Sequence, residues 1–302
     1  THECSSAASD VYKRQLYHSK ISKKILSENN LKVQLIGFHG QTIIHKPKDG
    51  YSIQMGDANL LSQELKEKVI YNFRANDIKN NGEGAPLTPV YHKLLINKFK
   101  INNPTLILNI GGISNYTYCF NDTLAAKDIG PGNVLMDEYL KKTKGIDYDK
   151  NGEIALSGNI NKDIINQFYE HEFYNVQQKH SFDRNEFDFS FVKGLEFEDA
   201  VATLTYFTAL IISQNIKKNF DNEIEIILCG GGRKNLTLVN HIKKLLKYKI
   251  KLIDEFSIDG DFIESQAFAY LSIRSYLNKI ISYPTTTNVL NPVTGGEIKI
   301  NY

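Results

Sequence analysis

The string LILNIGG, at residues 106–112, places a largely apolar run directly before two glycines. The run predicts a buried strand. Gly111 and Gly112 lack Cβ atoms, so their backbone N–H groups can approach a ligand closely. Two further short strands are predicted at residues 114–120 and from residue 124, and the last of them ends at Asp128. A glycine pair that can hold phosphate, beside a strand-end carboxylate, indicates phosphoryl-transfer chemistry.

Composition and charge narrow the class of protein. The chain has 302 residues, of which 41% are hydrophobic and 23% charged, which is typical of a globular protein with room for two cores. A net charge of +2 without an arginine-rich stripe argues against a nucleic-acid partner. No apolar run is long enough to predict a membrane span. The three cysteines, Cys4, Cys119 and Cys229, are odd in number and widely spaced, and they lack the spacing of a metal site. This pattern favours a reducing compartment, and the cytoplasm is the expected one.

The second half of the chain alternates regularly between strands and helices. After three strands within residues 105–129, helices are predicted at residues 133–142, 196–218, 235–246 and 262–281, and strands at residues 225–229 and 250–253. A polar, aromatic-rich stretch at residues 144–183 reads as an insertion with one helix near residues 161–168. The order of three strands, helix, strand, helix, strand, helix is that of the ribonuclease-H-like unit shared by actin, hexokinases and heat-shock ATPases.

The first half reads as the same unit without its opening three-strand meander. Helices are predicted at residues 18–30, 57–66 and 87–99, and strands at residues 33–38, 52–55 and 69–73. No glycine precedes Gly37. The glycine-rich phosphate loop that duplicated-domain kinases carry in this meander is therefore missing, and we interpret the chain as an N-terminally truncated fragment. The expected fold class is α/β, with two ribonuclease-H-like domains of the actin and hexokinase-type ATPase fold, the first lacking its N-terminal strands.

The expected domain boundaries follow from these elements. Residues 1–15 show neither strand nor helix periodicity and are expected to be non-native or disordered. The truncated first domain comprises residues 16–103 and 284–302, with a linker at residues 102–104. The second ribonuclease-H-like domain comprises residues 104–283.

Two features of the second domain are candidates for nucleotide binding and catalysis. Gly230, Gly231 and Gly232 follow a predicted strand and precede Asn235, which opens a helix. Helix N-termini favour anions, so this string predicts a nucleotide site, with a flexible strand–helix loop as the alternative. Asp128 is either a general base at a strand end or a cap of the following helix.

Other polar residues have two interpretations each. His39 and Gln41 are either ligand-binding residues or ordinary polar loop residues. Glu264 is either a second reactive carboxylate or a first-turn residue stabilised by the helix dipole. No cluster of His, Cys and Asp has metal-ligand spacing, so no protein-bound metal is expected, and Mg²⁺ would arrive only with a nucleotide.

Several motifs occur in a fixed order along the chain. They are IGFHGQTIIHKP (36–47), GD (56–57), NFRANDI (72–78), GEGAPL (82–87), LNIGGISN (108–115), DIGPGNVLMD (128–137), CGGGRKN (229–235), ESQAFAYL (264–271) and VTGG (293–296). This ordered set resembles the anhydro-N-acetylmuramic acid kinase family. It covers nearly everything from Lys32 onward and is far more specific than any single glycine motif.

The resemblance implies an unusual reaction. A kinase of this family opens the 1,6-anhydro bridge of its sugar with water while it transfers the γ-phosphate of ATP to O6. The product is N-acetylmuramic acid 6-phosphate, and the process recycles cell-wall murein. By the same resemblance, Asp128 matches the general base that deprotonates the attacking water, and Glu264 matches a second carboxylate.

The resemblance also assigns binding residues. Gly111 and Gly112 match a phosphate loop, and Gly230, Gly231 and Gly232 with Asn235 match the adenosine-side motif. The positions that match the sugar-side wall are His39, Gln41, Arg74 and Asp77.

The resemblance finally implies cofactors and partners. These kinases use ATP with Mg²⁺ and are usually dimers, so a homodimer is expected. Because the first phosphate loop has no match, we expect the activity of this chain to be impaired. Two alternatives stay open: a kinase for another amino sugar, and a non-catalytic sugar-binding or regulatory protein on the same fold.

Overall fold

A computed structural model describes residues 16–178, 182, 186–220 and 224–302, with 171–178 described by their backbone. The expectation for residues 1–15 lies outside this range. The helices are α1 (residues 16–28), α2 (Ala58–Leu65), α3 (Ala75–Lys79), α4 (Pro89–Lys98), α5 (Val134–Lys144), α6 (Glu153–Ser157), α7 (Lys162–Gln178), α8 (Phe197–Asn219), α9 (Leu236–Leu245), α10 (Ile263–Tyr276) and α11 (Pro284–Thr287). The strands are β1 (Ile36–Gly37), β2 (Gln41–Lys46), β3 (Tyr51–Met55), β4 (Val69–Tyr71), β5 (Thr105–Ile110), β6 (Ile113–Phe120), β7 (Thr123–Pro131), β8 (Glu225–Cys229), β9 (Lys249–Leu252) and β10 (Glu297–Lys299).

The chain divides into two compact units, and the division differs from the expected one. One unit comprises the described residues up to Tyr91 together with Glu264–Tyr302, and the other comprises His92–Ile263. The expected second domain included α10, but this helix groups with the first unit. The reason is packing, because the Phe268 ring of α10 lies 5.2 Å from the ring of Phe73, the second residue after β4.

The second unit contains a five-stranded mixed sheet in the order β7-β6-β5-β8-β9. Strands β5, β6 and β7 form an antiparallel meander, and β8 and β9 join parallel to β5. This confirms the predicted order of three strands followed by two crossover strands, and the fold class is α/β. In the main core, Leu106, Leu108 and Ile110 of β5 pack in one cluster with Ile211 and Ile212 of α8. Full burial of each such side chain contributes about 1.5–3 kcal/mol to the free energy of unfolding. This layer is therefore a main source of the unit's stability.

The pairing of β6 with β7 contains a β-bulge near the end of the meander. Asn115 pairs with Asp128, whereas Ser114 pairs with Gly130, so Ile129 is an additional residue on β7. The strand continues to Pro131, which corrects the prediction that it ends at Asp128. The bulge therefore lies between the carboxylate and the loop that begins α5.

The first unit contains two small sheets. Strand β4 pairs parallel with β1 and antiparallel with β10, and β2 and β3 form a separate hairpin. The sequence did not predict β2, α3 or β10. Asp57 caps α2, since its side chain accepts hydrogen bonds from the N–H groups of Asn59 and Leu60 at 2.9 and 3.1 Å. Among the described residues, no helix combines the length and apolar character needed to cross a membrane.

Candidate functional site

The turn after β5 packs directly against the start of α5. The N–H of Gly132 donates to the Gly112 carbonyl at 2.8 Å, and the N–H of Asn133 donates to the Gly111 carbonyl at the same distance. A Cβ atom on Gly132 would collide with the Gly111 carbonyl oxygen. The predicted phosphate loop is therefore held in a fixed position by the loop that leads into α5.

The three glycines after β8 have different structural roles. Gly230 adopts a φ of +78°, and a Cβ atom there would collide with Asn109 and with the backbone of Ile110. A Cβ atom on Gly232 would collide with the Ile110 side chain. On Gly231 the nearest atom to a Cβ would be a side-chain nitrogen 3.8 Å away. Packing thus accounts for Gly230 and Gly232 but not for Gly231.

A cavity of about 490 Å³ lies beside Gly231 in the second unit. Its lining residues are Asn133, Met136, Asp137, Asp147, Tyr148, Asp149, Lys150, Asn151, Gly231, Lys234 and Asn235. Two residues of the predicted nucleotide motif, Gly231 and Asn235, belong to this wall, while Gly111, Gly112, Gly230 and Gly232 do not. The Oδ1 atom of Asn235 accepts the N–H of Leu238 at 2.9 Å, so its amide caps α9 as well as lining the cavity.

The stretch at residues 147–151 was missed by the sequence prediction. It contributes five consecutive residues to the cavity wall. The turn is fixed by Asp149, whose carboxylate accepts the N–H groups of Ile154 and Ala155 at 2.9 and 3.0 Å. Its only signal in the sequence was an Asx residue ahead of a short helix, which does not by itself indicate a ligand site.

Asp128 lies on β7, an edge strand of the sheet, and is half-buried. The backbone N–H of Phe182 donates to its Oδ2 atom at 3.0 Å. This bond orients the carboxylate without enclosing it in the core. The side chain does not cap α5, because Asn133 is the N-cap residue of that helix.

In the first unit, His39 and Arg74 form a hydrogen-bonded pair. The Nδ1 atom of His39 lies 2.8 Å from the Gly40 carbonyl oxygen, and Arg74 Nε donates to Nε2 at 3.0 Å. This arrangement requires the neutral tautomer with a proton on Nδ1. Burial, reinforced by the Arg74 charge, lowers the pKa of His39 to about 4, so the ring is uncharged at neutral pH.

Arg74 also binds the glycine turn at residues 82–86. Its Nη1 atom donates to the Gly84 carbonyl at 2.8 Å. Burial lowers the pKa of Arg74 to about 10, while the charges of Glu264 and Asp77 oppose this change. The guanidinium therefore stays protonated at neutral pH. Glu264, near the start of α10, is exposed and acts on Arg74 through its charge.

The structure places Asp77 inside the first unit. Its side chain is buried, its Oδ1 atom accepts the N–H of Gly84 at 2.6 Å, and its Oδ2 atom accepts the Thr287 hydroxyl at 2.5 Å. Asp77 therefore holds the glycine turn against α11. Gln41, the other predicted sugar-side residue, is exposed at the start of β2 opposite Met55.

The predicted site residues thus fall into two groups. His39, Arg74, Asp77 and Glu264 come together in the first unit, and Gln41 lies beyond them at the start of the β2–β3 hairpin. The second unit holds Asp128 and the two glycine loops with Asn235. Across residues 16–178, 182, 186–220 and 224–302, no three His, Cys, Asp or Glu side chains are grouped as a metal site would require.

Comparisons with known proteins identify the family. The family model described as anhydro-N-acetylmuramic acid kinase matches residues 2–300. A protein of that name from Pelagibacter ubique (strain HTCC1062) is 51% identical over 298 residues, which cover 95% of this chain and 79% of the relative. One from Zymomonas mobilis is 39% identical over 288 residues, which cover 94% and 78%.

Among solved structures, component A of (R)-2-hydroxyglutaryl-CoA dehydratase from Acidaminococcus fermentans is similar with a TM-score of 0.43 and 10% identity, covering 72% of this chain and 82% of that one. The sequence matches extend over nearly the whole chain at high identity. The chain therefore belongs to the anhydro-N-acetylmuramic acid kinase family, a family of sugar kinases.

Proposed function

We propose that this protein opens the 1,6-anhydro bridge of anhydro-N-acetylmuramic acid with water and phosphorylates O6 at the expense of ATP. The products are N-acetylmuramic acid 6-phosphate and ADP, and the reaction serves murein recycling in the cytoplasm. Membership in the family supports the substrate. The observation that carries the proposal is the cavity beside Gly231, which offers a nucleotide a site next to the glycine loop.

The cavity has the size and chemistry of a nucleotide site. Its volume of about 490 Å³ lies within the range of roughly 300–1,000 Å³ that is typical of small-molecule sites. Asp137 and Asp147 supply carboxylates that accept hydrogen bonds from ribose hydroxyls. Lys234, whose ammonium group also contacts Asp261, would bring a positive charge to a phosphate, and the open space at Gly231 lets a ligand approach the backbone. When bound with the nucleotide, Mg²⁺ would supply charge neutralisation at the phosphates.

In the proposed mechanism, Asp128 acts as the general base. Its carboxylate takes a proton from the water whose oxygen forms a bond to the anomeric carbon. The bond between that carbon and O6 breaks, and its electron pair stays on O6, which forms a bond to the γ-phosphorus as ADP leaves. Phosphorylation of O6 removes the need to expel an unstabilised alkoxide.

The first unit supplies the sugar contacts in this proposal. Arg74 carries a positive charge that suits the carboxylate of the muramic acid lactyl group. Neutral His39 holds Arg74 in place through its Nε2 atom. We assign Glu264 as a second carboxylate near the sugar hydroxyls and Gln41 as a further polar contact. Asp77 supports Arg74 through the glycine turn. By the family relation, we further propose that the active protein is a homodimer.

The test is a turnover assay with a labelled solvent. The protein is incubated with ATP, Mg²⁺ and the anhydro sugar in ¹⁸O water, and the label is expected at the anomeric hydroxyl of a 6-phosphate product. Asp128→Asn should reduce kcat by a factor of about 10²–10⁴, as expected for loss of a general base.

The matched control is Asp122→Asn, at the exposed turn between β6 and β7 of the same meander. This variant should keep full turnover. Full turnover in Asp128→Asn would show that Asp128 is not the general base. Phosphorylation without ring opening would favour another amino sugar as the substrate.

A further inference from the structure

Arg233 lies within the glycine motif of the second unit, but its side chain is only 3% exposed. Its Nε and Nη2 atoms donate to the two carboxylate oxygens of Asp254 at 2.7 and 3.0 Å. Its Nη1 atom donates to Asp261 Oδ1 at 2.9 Å and to the Gly230 carbonyl at 3.0 Å. All three guanidinium nitrogens are therefore engaged inside the protein.

This engagement argues against the usual role of an arginine in a glycine-rich nucleotide motif. Arginine commonly binds phosphate through two parallel hydrogen bonds. Here that geometry is already used on Asp254, and Arg233 does not line the cavity, although Gly231 and Lys234 do. A ligand in the cavity would meet the neighbours of Arg233 rather than its guanidinium.

The bonds of Arg233 connect two separate segments. Gly230 directly follows β8, while Asp254 and Asp261 lie in the stretch between β9 and α10. A Cβ atom on Gly260 would collide with the guanidinium, so this stretch is shaped to admit Arg233. Hydrogen bonding to Arg233 lowers the pKa of Asp254, which keeps the pair ionised.

We propose that Arg233 is a positioning residue that fixes the Gly230–Gly232 turn in the shape that places Gly231 on the wall of the nucleotide cavity. Three consecutive glycines have more backbone freedom than any other tripeptide, and ordering them on binding would reduce affinity. Arg233 connects the Gly230 carbonyl to the ion pairs with Asp254 and Asp261. The turn is therefore already ordered when the protein has folded, before a nucleotide binds. The inference rests on the proposed binding of a nucleotide in this cavity.

The test combines two measurements on Arg233→Lys, which keeps the charge but loses the paired bonds. Hydrogen exchange without nucleotide reports the turn itself. The amides of residue 233 and Asn235, which donate to the Gly230 and Gly232 carbonyls at 3.3 and 3.0 Å, should exchange about tenfold faster than in the wild type. Calorimetry with ADP and Mg²⁺ should show about tenfold weaker binding, comparable to the loss of one charge-assisted hydrogen bond. The KM for ATP should rise more than kcat falls.

The matched control is Glu225→Gln at the opposite end of β8. Glu225 is a buried carboxylate with Lys251 Nζ 2.6 Å from its Oε1 atom and Lys249 Nζ 3.6 Å from its Oε2 atom. Removing this charge also breaks an ion cluster, formed around a buried carboxylate in the same unit. It should lower the free energy of unfolding but leave ADP affinity within about twofold, which separates loop positioning from general destabilisation.

Each outcome has a defined meaning. Unchanged exchange at the amides of residue 233 and Asn235 in Arg233→Lys would overturn the positioning role, whatever happens to the affinity for ADP. Faster exchange with unchanged ADP affinity would overturn the link to the cavity. If the wild type binds no ADP, the proposed nucleotide site fails and this inference fails with it. Should Arg233→Lys not fold, Asp254→Asn, at a more exposed partner, gives the same readouts.

Discussion

Replacing His92 with glutamine should flatten the dependence of stability on pH between about pH 7 and pH 5. His92 lies on α4, is 2% exposed, and its Nδ1 atom is 2.7 Å from the Thr117 hydroxyl oxygen on β6. Burial lowers the pKa of His92 to about 4 from its ordinary value of 6.5. The folded protein therefore keeps a neutral imidazole in its core through the mildly acidic range.

The magnitude follows from the difference between the two states. Below about pH 6.5 the unfolded chain takes up a proton that folded His92 does not accept until near pH 4. The free energy of unfolding therefore falls with decreasing pH by about 1.4 kcal/mol per pH unit in this window. The expected loss is about 2 kcal/mol at pH 5 and about 3 kcal/mol near pH 4, and none above the ordinary value.

Urea denaturation followed by far-ultraviolet circular dichroism at pH 7 and pH 5 measures this loss. His92→Gln should lose about 2 kcal/mol less than the wild type between the two pH values. His39, whose pKa is also lowered to about 4, keeps its own contribution in that variant, so the dependence is reduced rather than abolished.

Thr117→Val is the control, because it removes the hydrogen bond but leaves the imidazole buried. It should cost about 1 kcal/mol at both pH values and keep the wild-type slope. Equal slopes for the wild type and His92→Gln would refute the assignment. A flattened slope in Thr117→Val would show that the hydrogen bond, rather than burial, governs the titration.

Two further predictions concern the glycines and the buried carboxylate. Gly232→Ala should lower the free energy of unfolding by about 1–3 kcal/mol, because its Cβ atom collides with a core side chain, whereas Gly231→Ala should unfold at the wild-type urea concentration. A matching midpoint for both variants would contradict the packing argument. Asp77→Ala should cost about 1–3 kcal/mol and raise the KM for the sugar, because the N–H of Gly84 loses its partner, while Thr287→Val should cost less. An unchanged KM in Asp77→Ala would separate the turn from sugar binding.

The second unit could be predicted well from the sequence because its elements have strong local signals. The apolar runs that form β5 and β8 are flanked by glycine, and α8 is long and periodic, so their order alone defined the sheet. The Gly230–Gly232 string likewise indicated a ligand loop, and Gly231 lies on the cavity wall.

Elements that are defined by their pairing or packing partners could not be predicted. Strand β2 is almost entirely exposed, so it shows no apolar alternation and is defined by its pairing with β3. Strand β10 pairs with β4 from the far end of the sequence. The assignment of α10 to the first unit depends on ring packing between Phe268 and Phe73, which periodicity does not reveal.

The sequence indicated which types of residue belong to the candidate site, but it did not indicate what each residue does there. A carboxylate such as Asp77 looks the same in a motif whether it binds a ligand or the backbone of a nearby turn, and only its burial distinguishes the two. The same holds for Arg233, whose carboxylate partners lie more than twenty residues further along the chain.

The additional residue on β7 has a consequence for how this protein tolerates insertions and deletions. Ile129 acts as a spacer between Asp128 and the loop that binds Gly111 and Gly112 through its backbone. The number of residues in this interval therefore sets the position of Asp128 and the position of the loop together. Without the bulge, a regular β-ladder would shift the loop by one residue relative to the Gly111–Gly112 turn. We therefore expect the length of this segment to be more strictly constrained than the identity of its side chains.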